Sequence, residues 1–168
     1  MIDDFAESEV NDACEIGRRI RMGRISDISA SARSLSAAGH MDLVLGKSDF
    51  SAAYRGCPVL EADLDLASVL IRGSDGSLHV STQLAMPFGS VAAVYAWDRV
   101  GAAISAVIIE LFDLPVSRYV DDLFWVDFRS IASATRSLLL ELVSLLGFTL
   151  AVDKTPTPST SLDILGNS

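Results

Sequence analysis

Arg118-Tyr119-Val120-Asp121-Asp122-Leu123-Phe124-Trp125-Val126-Asp127-Phe128 is the stretch on which the fold turns. Tyr119-Val120 and Leu123 to Val126 are β-formers, and the aspartates between them tolerate the backbone of a tight turn better than branched residues do. The stretch reads as a β-hairpin with Asp121-Asp122 at its tip. Adjacent carboxylates crowd like charge and are costly unless a cation offsets them. The pair therefore has two readings, a solvated turn or a platform for a divalent ion.

Working outward, Ser90 to Phe112 is a long apolar segment punctuated upstream by Pro87 and Gly89, and its length favours helix over strand. After the hairpin, Ser130 to Leu146 reads as a helix ended by Gly147, followed by a short strand Phe148 to Val152. Upstream, Leu43-Val44-Leu45 lies between Gly39 and Gly46, too brief for a helix, so it predicts a buried strand leading to Asp49. Leu66 to Ile71 and Leu78 to Thr82 form a second hairpin around Gly73-Ser74-Asp75-Gly76. Glu9 to Met22 and Ser26 to Ala38 have helical spacing, with Ser8 as an N-cap and Gly23 and Gly39 as stops. Strand and helix do not alternate regularly. The expected class is α+β, an antiparallel sheet with helices packed on one face.

A chain of 168 residues suffices for one sizeable core, and a single domain is expected. Cys14 and Cys57 stand at no metal-ligand spacing, and a chain of this size folds without a disulfide, which favours a reducing, intracellular location, cytoplasmic or nuclear. The opening MIDDFAESEVND has neither a basic lead nor an apolar run, so no secretory signal is expected. The apolar runs Val100 to Leu114 and Leu138 to Leu150 are interrupted by Glu110, Asp113, Glu141 and Gly147, and fall short of the ~20 residues of a membrane span. They read as core helices, with no membrane partner. Acidic residues number 22 against 13 basic ones, which predicts repulsion from a polyanion and counts against nucleic-acid binding. The cluster Arg18, Arg19, Arg21 and Arg24 is either a solvated helix face or a template contact. His40 and His79 have no ligand partners and read as structural. Trp97 and Trp125 read as core, Asp3 and Asp4 as a solvated chain start, and Asp127 as a strand end.

RYVDDLFWVD (118–127) resembles the tyrosine, variable residue, Asp-Asp hairpin of reverse transcriptases. Four more segments follow that family's order between Asp42 and Gly166. KSDFSAAYRGCPV (47–59) resembles its first carboxylate motif, an aspartate ending a strand and an aromatic residue five positions later, here Asp49 and Tyr54. AMPFGSVAAVYAWDRV (85–100) looks like the Pro-Phe-Gly segment and helix of long-terminal-repeat and tyrosine-recombinase retroelements. LLGFTLAVDKT (145–155) resembles the leucine-glycine-phenylalanine strand followed by a lysine, and ILG (164–166) the start of the primer grip. IDDFAESEVN (2–11) looks like the end of a fingers motif.

The resemblance implies a palm with partial fingers: fingers over about 1–48, palm over about 49–168, a fingers-side hairpin near 66–82, and neither thumb nor RNase H domain after Gly166. It implies a nucleotidyltransferase, an RNA-directed DNA polymerase acting on dNTPs, a DNA primer and an RNA or DNA template. Asp49 and Asp121 would bind both Mg²⁺ (or Mn²⁺) ions, with the Phe50 carbonyl in support and Asp122 as the third carboxylate. Lys154 would donate a proton to pyrophosphate. Tyr54, Pro87, Phe88, Gly89 and Tyr119 would line the nucleotide and template site. The physical role of Tyr54 stands apart from the resemblance, because a bulky ring beside the sugar collides with a 2′-hydroxyl. Gly89 would let the backbone approach the nucleotide closely. The rest of a polyprotein, or self-association through exposed apolar surface, would complete the molecule.

Two other readings compete. One is a truncated retroelement relic that folds without polymerising. The other is a phospho-receiver module using Asp3-Asp4, Asp49 and Thr82, which lacks the lysine such a module needs about twenty residues after Thr82.

Overall fold

A computed structural model of the chain describes residues 11, 12, 14, 15, 17 and 19–163. The elements run α1 (Ile25–Ala37), β1 (Leu43–Asp49), β2 (Ser68–Arg72), β3 (Leu78–Thr82), α2 (Val91–Phe112), β4 (Val116–Tyr119), β5 (Asp122–Phe128) and α3 (Ala132–Leu145). The chain divides into two compact units. One takes Ala52–Trp97 with the chain up to Arg19, the other Ile20–Ser51 and Asp98 onward.

The second unit is built on an antiparallel sheet of order β1-β5-β4. β5 is central, and Leu123, Phe124, Trp125 and Val126 are each at most 4% exposed because both of its faces are covered. Phe124 and Val126 pack against Ile28 of α1, together with Ala32, Leu35, Leu43 and Leu45. The opposite face carries Leu123, Trp125 and Asp127. There α3 donates a hydrogen bond from Thr135 Oγ1 to Asp127 Oδ2 at 2.5 Å, and α2 meets Arg118, the cross-strand partner of Leu123. The mixed α+β class and the antiparallel sheet match the sequence reading. Helices on one face do not, because α1 covers part of the other. Its apolar stripe Ile28, Ala32, Leu35 has helical spacing and needs a surface of its own to bury it.

Trp125 lies over Gly46, its cross-strand partner, where a Cβ would collide with the indole ring. The outer edge of β1 is met by two isolated bridges, Leu45 to Ser159 and Phe50 to Leu150, which pair part of its backbone. The second bridge is all that forms of the strand expected over Phe148 to Val152; a 3-10 turn, Val152–Lys154, follows it. α1 ends as expected at Gly39, which adopts φ +96°, with His40 N–H donating to Leu35 O at 3.2 Å.

The helix expected over Glu9 to Met22 is absent among its described residues: Cys14, Glu15, Gly17 and 19–22 are non-helical. Gly17 interrupts that pattern at a helix-interior cost of ~1 kcal/mol. The chain instead reaches edge strand β4, where Gly23 N–H donates to Arg118 O at 2.6 Å. A Cβ on Gly23 would collide with Ser117 Oγ.

α2 matches the helix expected over Ser90 to Phe112 to within one residue. Its 22 residues are long and apolar enough to cross a membrane by length and composition. Its buried positions Ala93, Trp97, Gly101, Ile104 and Ile108 form a single stripe, and Asp98 beside them is ion-paired, features of a helix packed on protein.

In the first unit β2 and β3 form the expected hairpin, with Gly76 at φ +83° and Asp75 accepting from the Ser77 hydroxyl and amide. A second pairing joins Val59 N–H to Leu84 O (3.0 Å) and Met86 N–H to Cys57 O (2.8 Å).

Candidate active site

β1 and β5 pair in register from Leu43↔Phe128 to Asp49↔Asp122. The last pair sets two carboxylates directly opposite each other on one face, an arrangement that destabilises a sheet unless positive charge intervenes. Two lysines supply it. Lys47, two residues before Asp49 and on the same face, places Nζ 3.1 Å from Asp122 Oδ1 and 5.8 Å from the Phe124 ring centroid. Lys154 Nζ lies 3.8 Å from Asp49 Oδ1. The Asp122 ion pair lacks hydrogen-bond geometry: its Oδ1 is buried with no hydrogen-bond partner among the described residues.

Lys154 reaches the site because the backbone before it is fixed. Ser51 N–H donates to Thr149 O and Ala151 N–H to Asp49 O, both at 2.8 Å, and the 3-10 turn follows at once. From α3, Arg136 forks onto the carbonyl of buried Thr155 with bonds of 3.1 and 2.7 Å.

The hairpin turn is shifted by one residue from the sequence reading. Tyr119 pairs with Asp122, so the turn residues are Val120 and Asp121, and Asp122 opens β5. A two-residue hairpin turn needs positive φ at its first central position. Val120 occupies it at φ +52°. A β-branched residue there is strained, at a cost of order 1–3 kcal/mol. Asp121 is tied to β1 by Phe50 N–H, which donates to Asp121 O at 2.9 Å. Phe50 itself is buried, while Tyr119 is exposed.

Burial raises the pKa of Asp49 above its ordinary 3.8. The positive charge of Lys154 lowers it, the negative charges of Asp121 and Asp122 raise it, and Lys47 adds a smaller lowering, for a net rise. The three aspartates thus form one electrostatic group. Among the described residues no three His, Cys, Asp or Glu side chains are grouped so as to hold a metal ion as they stand. The donor set nevertheless fits a hard divalent cation: carboxylate oxygens, an excess of like charge, and one buried carboxylate oxygen without a hydrogen bond.

The remaining expected residues belong to the first unit. Tyr54 sits in a 3-10 turn, Ala53–Gly56, with its ring 5.9 Å from that of Phe88 at 50°. Pro87 is buried, Phe88 is exposed and Gly89 takes φ +93°. Asn11 holds this loop: its side-chain amide donates to Gly89 O at 3.1 Å and its oxygen accepts from Val91 N–H at 2.8 Å, capping α2. Each unit therefore gathers its own set: Asp49, Phe50, Tyr119, Asp121, Asp122 and Lys154 in one, Tyr54, Pro87, Phe88 and Gly89 in the other.

The sequence reading missed Lys47, Arg136 and the pair Asp98–Arg118, and gave Asn11 only as the end of the stretch 2–11. Lys47 was detectable, since its alternation with Asp49 places both on one strand face. The others depend on partners far along the chain. Compared with models of protein families and with curated proteins, the chain matches none.

Proposed function

We propose that the chain is the palm, with part of the fingers, of an RNA-directed DNA polymerase that adds dNTPs to a primer 3′-hydroxyl. The observation that carries this reading is the cross-strand pair Asp49↔Asp122 with Asp121 in the adjoining turn and Lys154 Nζ 3.8 Å from Asp49. Asp49, Asp121 and Asp122 would hold Mg²⁺ or Mn²⁺, which when bound neutralises phosphate charge and lowers the pKa of the attacking hydroxyl. Burial, and then the charges of Asp121 and Asp122, raise the pKa of Asp49 despite Lys154 and Lys47, and a bound divalent ion would favour its ionised form. Lys154 would supply a proton to the leaving pyrophosphate. Tyr54 would reject a 2′-hydroxyl, and the backbone around Gly89 would lie against the nucleotide. Template, primer and dNTPs are the partners this reading requires.

A second reading has one observation in its favour. Lys47 and Lys154 already lie against Asp122 and Asp49, as they would in a relic whose carboxylates serve only the fold. Primer extension on an RNA template with Mg²⁺ or Mn²⁺, together with Mn²⁺ binding followed by electron paramagnetic resonance, separates the two. Incorporation and Mn²⁺ binding that both vanish in Asp121→Asn are the expected result. A folded chain indifferent to Mn²⁺ would leave the relic.

A further inference from the structure

Arg118 is the least expected residue beside the carboxylates. It is 7% exposed and its partner Asp98 is equally buried. Its guanidinium is forked between two elements. Nη2 donates to Asp98 Oδ1 at 2.5 Å and to Asp98 O at 3.2 Å, while Nη1 donates to Val120 O at 2.7 Å. Room for the fork comes from Gly101, one helical turn beyond Asp98, where a Cβ would stand 2.7 Å from Arg118 Nε. On the other side Gly23 N–H holds the Arg118 carbonyl.

We infer that Arg118 is a positioning residue: anchored on Asp98, it grips the Val120 carbonyl and so fixes the turn that carries Asp121 and Asp122. Two arguments support this beyond the distances. A buried ion pair is seldom the most stabilising choice for its site, since well-packed apolar residues of similar volume usually serve stability as well or better. What apolar residues could not supply is a donor to Val120 O. A valine at positive φ also persists only where its surroundings over-determine it, and glycine would need no such restraint. The consequence for chemistry rests on the nucleotidyl-transfer reading; the grip on the turn does not.

The test uses the full chain and two reporters that do not depend on turnover. Exchange of the Phe50 amide reads its bond to Asp121 O, and the Val120 HN–Hα coupling with its carbon shifts reads φ. In the neutral double variant Arg118→Gln, Asp98→Asn, Val120 should leave positive φ and Phe50 exchange should rise about tenfold or more relative to the amides of β5. Adding Val120→Gly should restore the protection. A folded double variant with unchanged coupling and unchanged Phe50 exchange would overturn the inference. Should the double variant not fold, Arg118→Lys is decisive in the same way, because a single ammonium keeps the charge pairing with Asp98 but lacks the fork. Mn²⁺ titration of the same variants keeps the two claims apart. Weaker Mn²⁺ binding alongside the changed turn supports both, whereas a changed turn with undiminished Mn²⁺ binding supports the grip and removes the turn carboxylates from the metal site.

Discussion

Burial, and the charges of Asp121 and Asp122, leave Asp49 with a raised pKa that Lys154 and Lys47 only partly offset. A folded-state acid of this kind holds its proton more tightly than the unfolded chain does. Its contribution to stability is present in full below the ordinary value of 3.8 and is lost as pH rises through the raised folded value. Ionised Asp49 therefore opposes folding at neutral pH. Asp49→Asn should unfold at higher urea concentration than the parent at pH 7, and the gap should close as the buffer is taken below the ordinary carboxylate range. A gap that stays constant with pH would mean that burial and like charge do not govern this group. Ser48, on the opposite face of the same strand, poses a simpler case: it is fully buried and its Oγ has no partner among the described residues. Ser48→Ala should raise stability by about 1 kcal/mol in urea unfolding, because it removes a desolvated hydroxyl and little volume. Loss of stability instead would point to a bound water joining Ser48 to Trp125 Nε1, which is likewise unpartnered.

Among the elements, the β2–β3 hairpin stands out for its exposure. Cross-strand partners Leu70 and Val80 are 63% and 72% exposed, with Leu66 and Leu84 also open. A two-stranded hairpin with uncovered apolar side chains favours association. Replacing Leu70 and Val80 by Thr keeps β-propensity, so unfolding stability should change by no more than ~0.5 kcal/mol. Light scattering at rising concentration should show less self-association than the parent; equal scattering would clear this surface. Such locally coded elements were also the ones legible in the sequence. Turn chemistry at Gly73 to Gly76 gave this hairpin, the brevity of the apolar run between Gly39 and Gly46 gave β1 up to Asp49, and length gave α2. Errors came where a distant partner decides. α1 lies on the second sheet face because Phe124 and Val126 need cover as much as Trp125 does. The turn slipped to Val120-Asp121 because the pairing of Tyr119 with Asp122, and the grip of Arg118 on Val120, override the preference of valine for extended backbone. The three aspartates, read from the sequence as one set, lie close enough in the structure to act on each other's charge. Lys47 was not read with them, because its approach to Asp122 follows from the β1–β5 register.

At the scale of the whole molecule, net charge is the strongest constraint on the proposed function. A formal charge of −9 at pH 7 repels a polyanion, and at the carboxylates the described cations are Lys47 and Lys154. On the proposed function, divalent ions bound by the protein would offset part of that repulsion. Substituting Asn for Asp49, Asp121 and Asp122 together has two effects of opposite sign. It removes three negative charges, which should ease the general repulsion, and it removes the groups that would hold the ions. Anisotropy of a labelled primer–template, titrated in EDTA and again with Mn²⁺, reads both. The parent should bind weakly in EDTA and gain on adding Mn²⁺, while the triple variant should bind slightly better in EDTA and gain little. Raising salt should shrink the EDTA difference, because long-range repulsion is screened beyond about 10 Å at 0.1 M, and should spare the Mn²⁺ gain of the parent more. An equal Mn²⁺ gain in both proteins would mean that the ions act on the nucleic acid or elsewhere on the acidic surface, and the aspartates would lose their assignment as the divalent site.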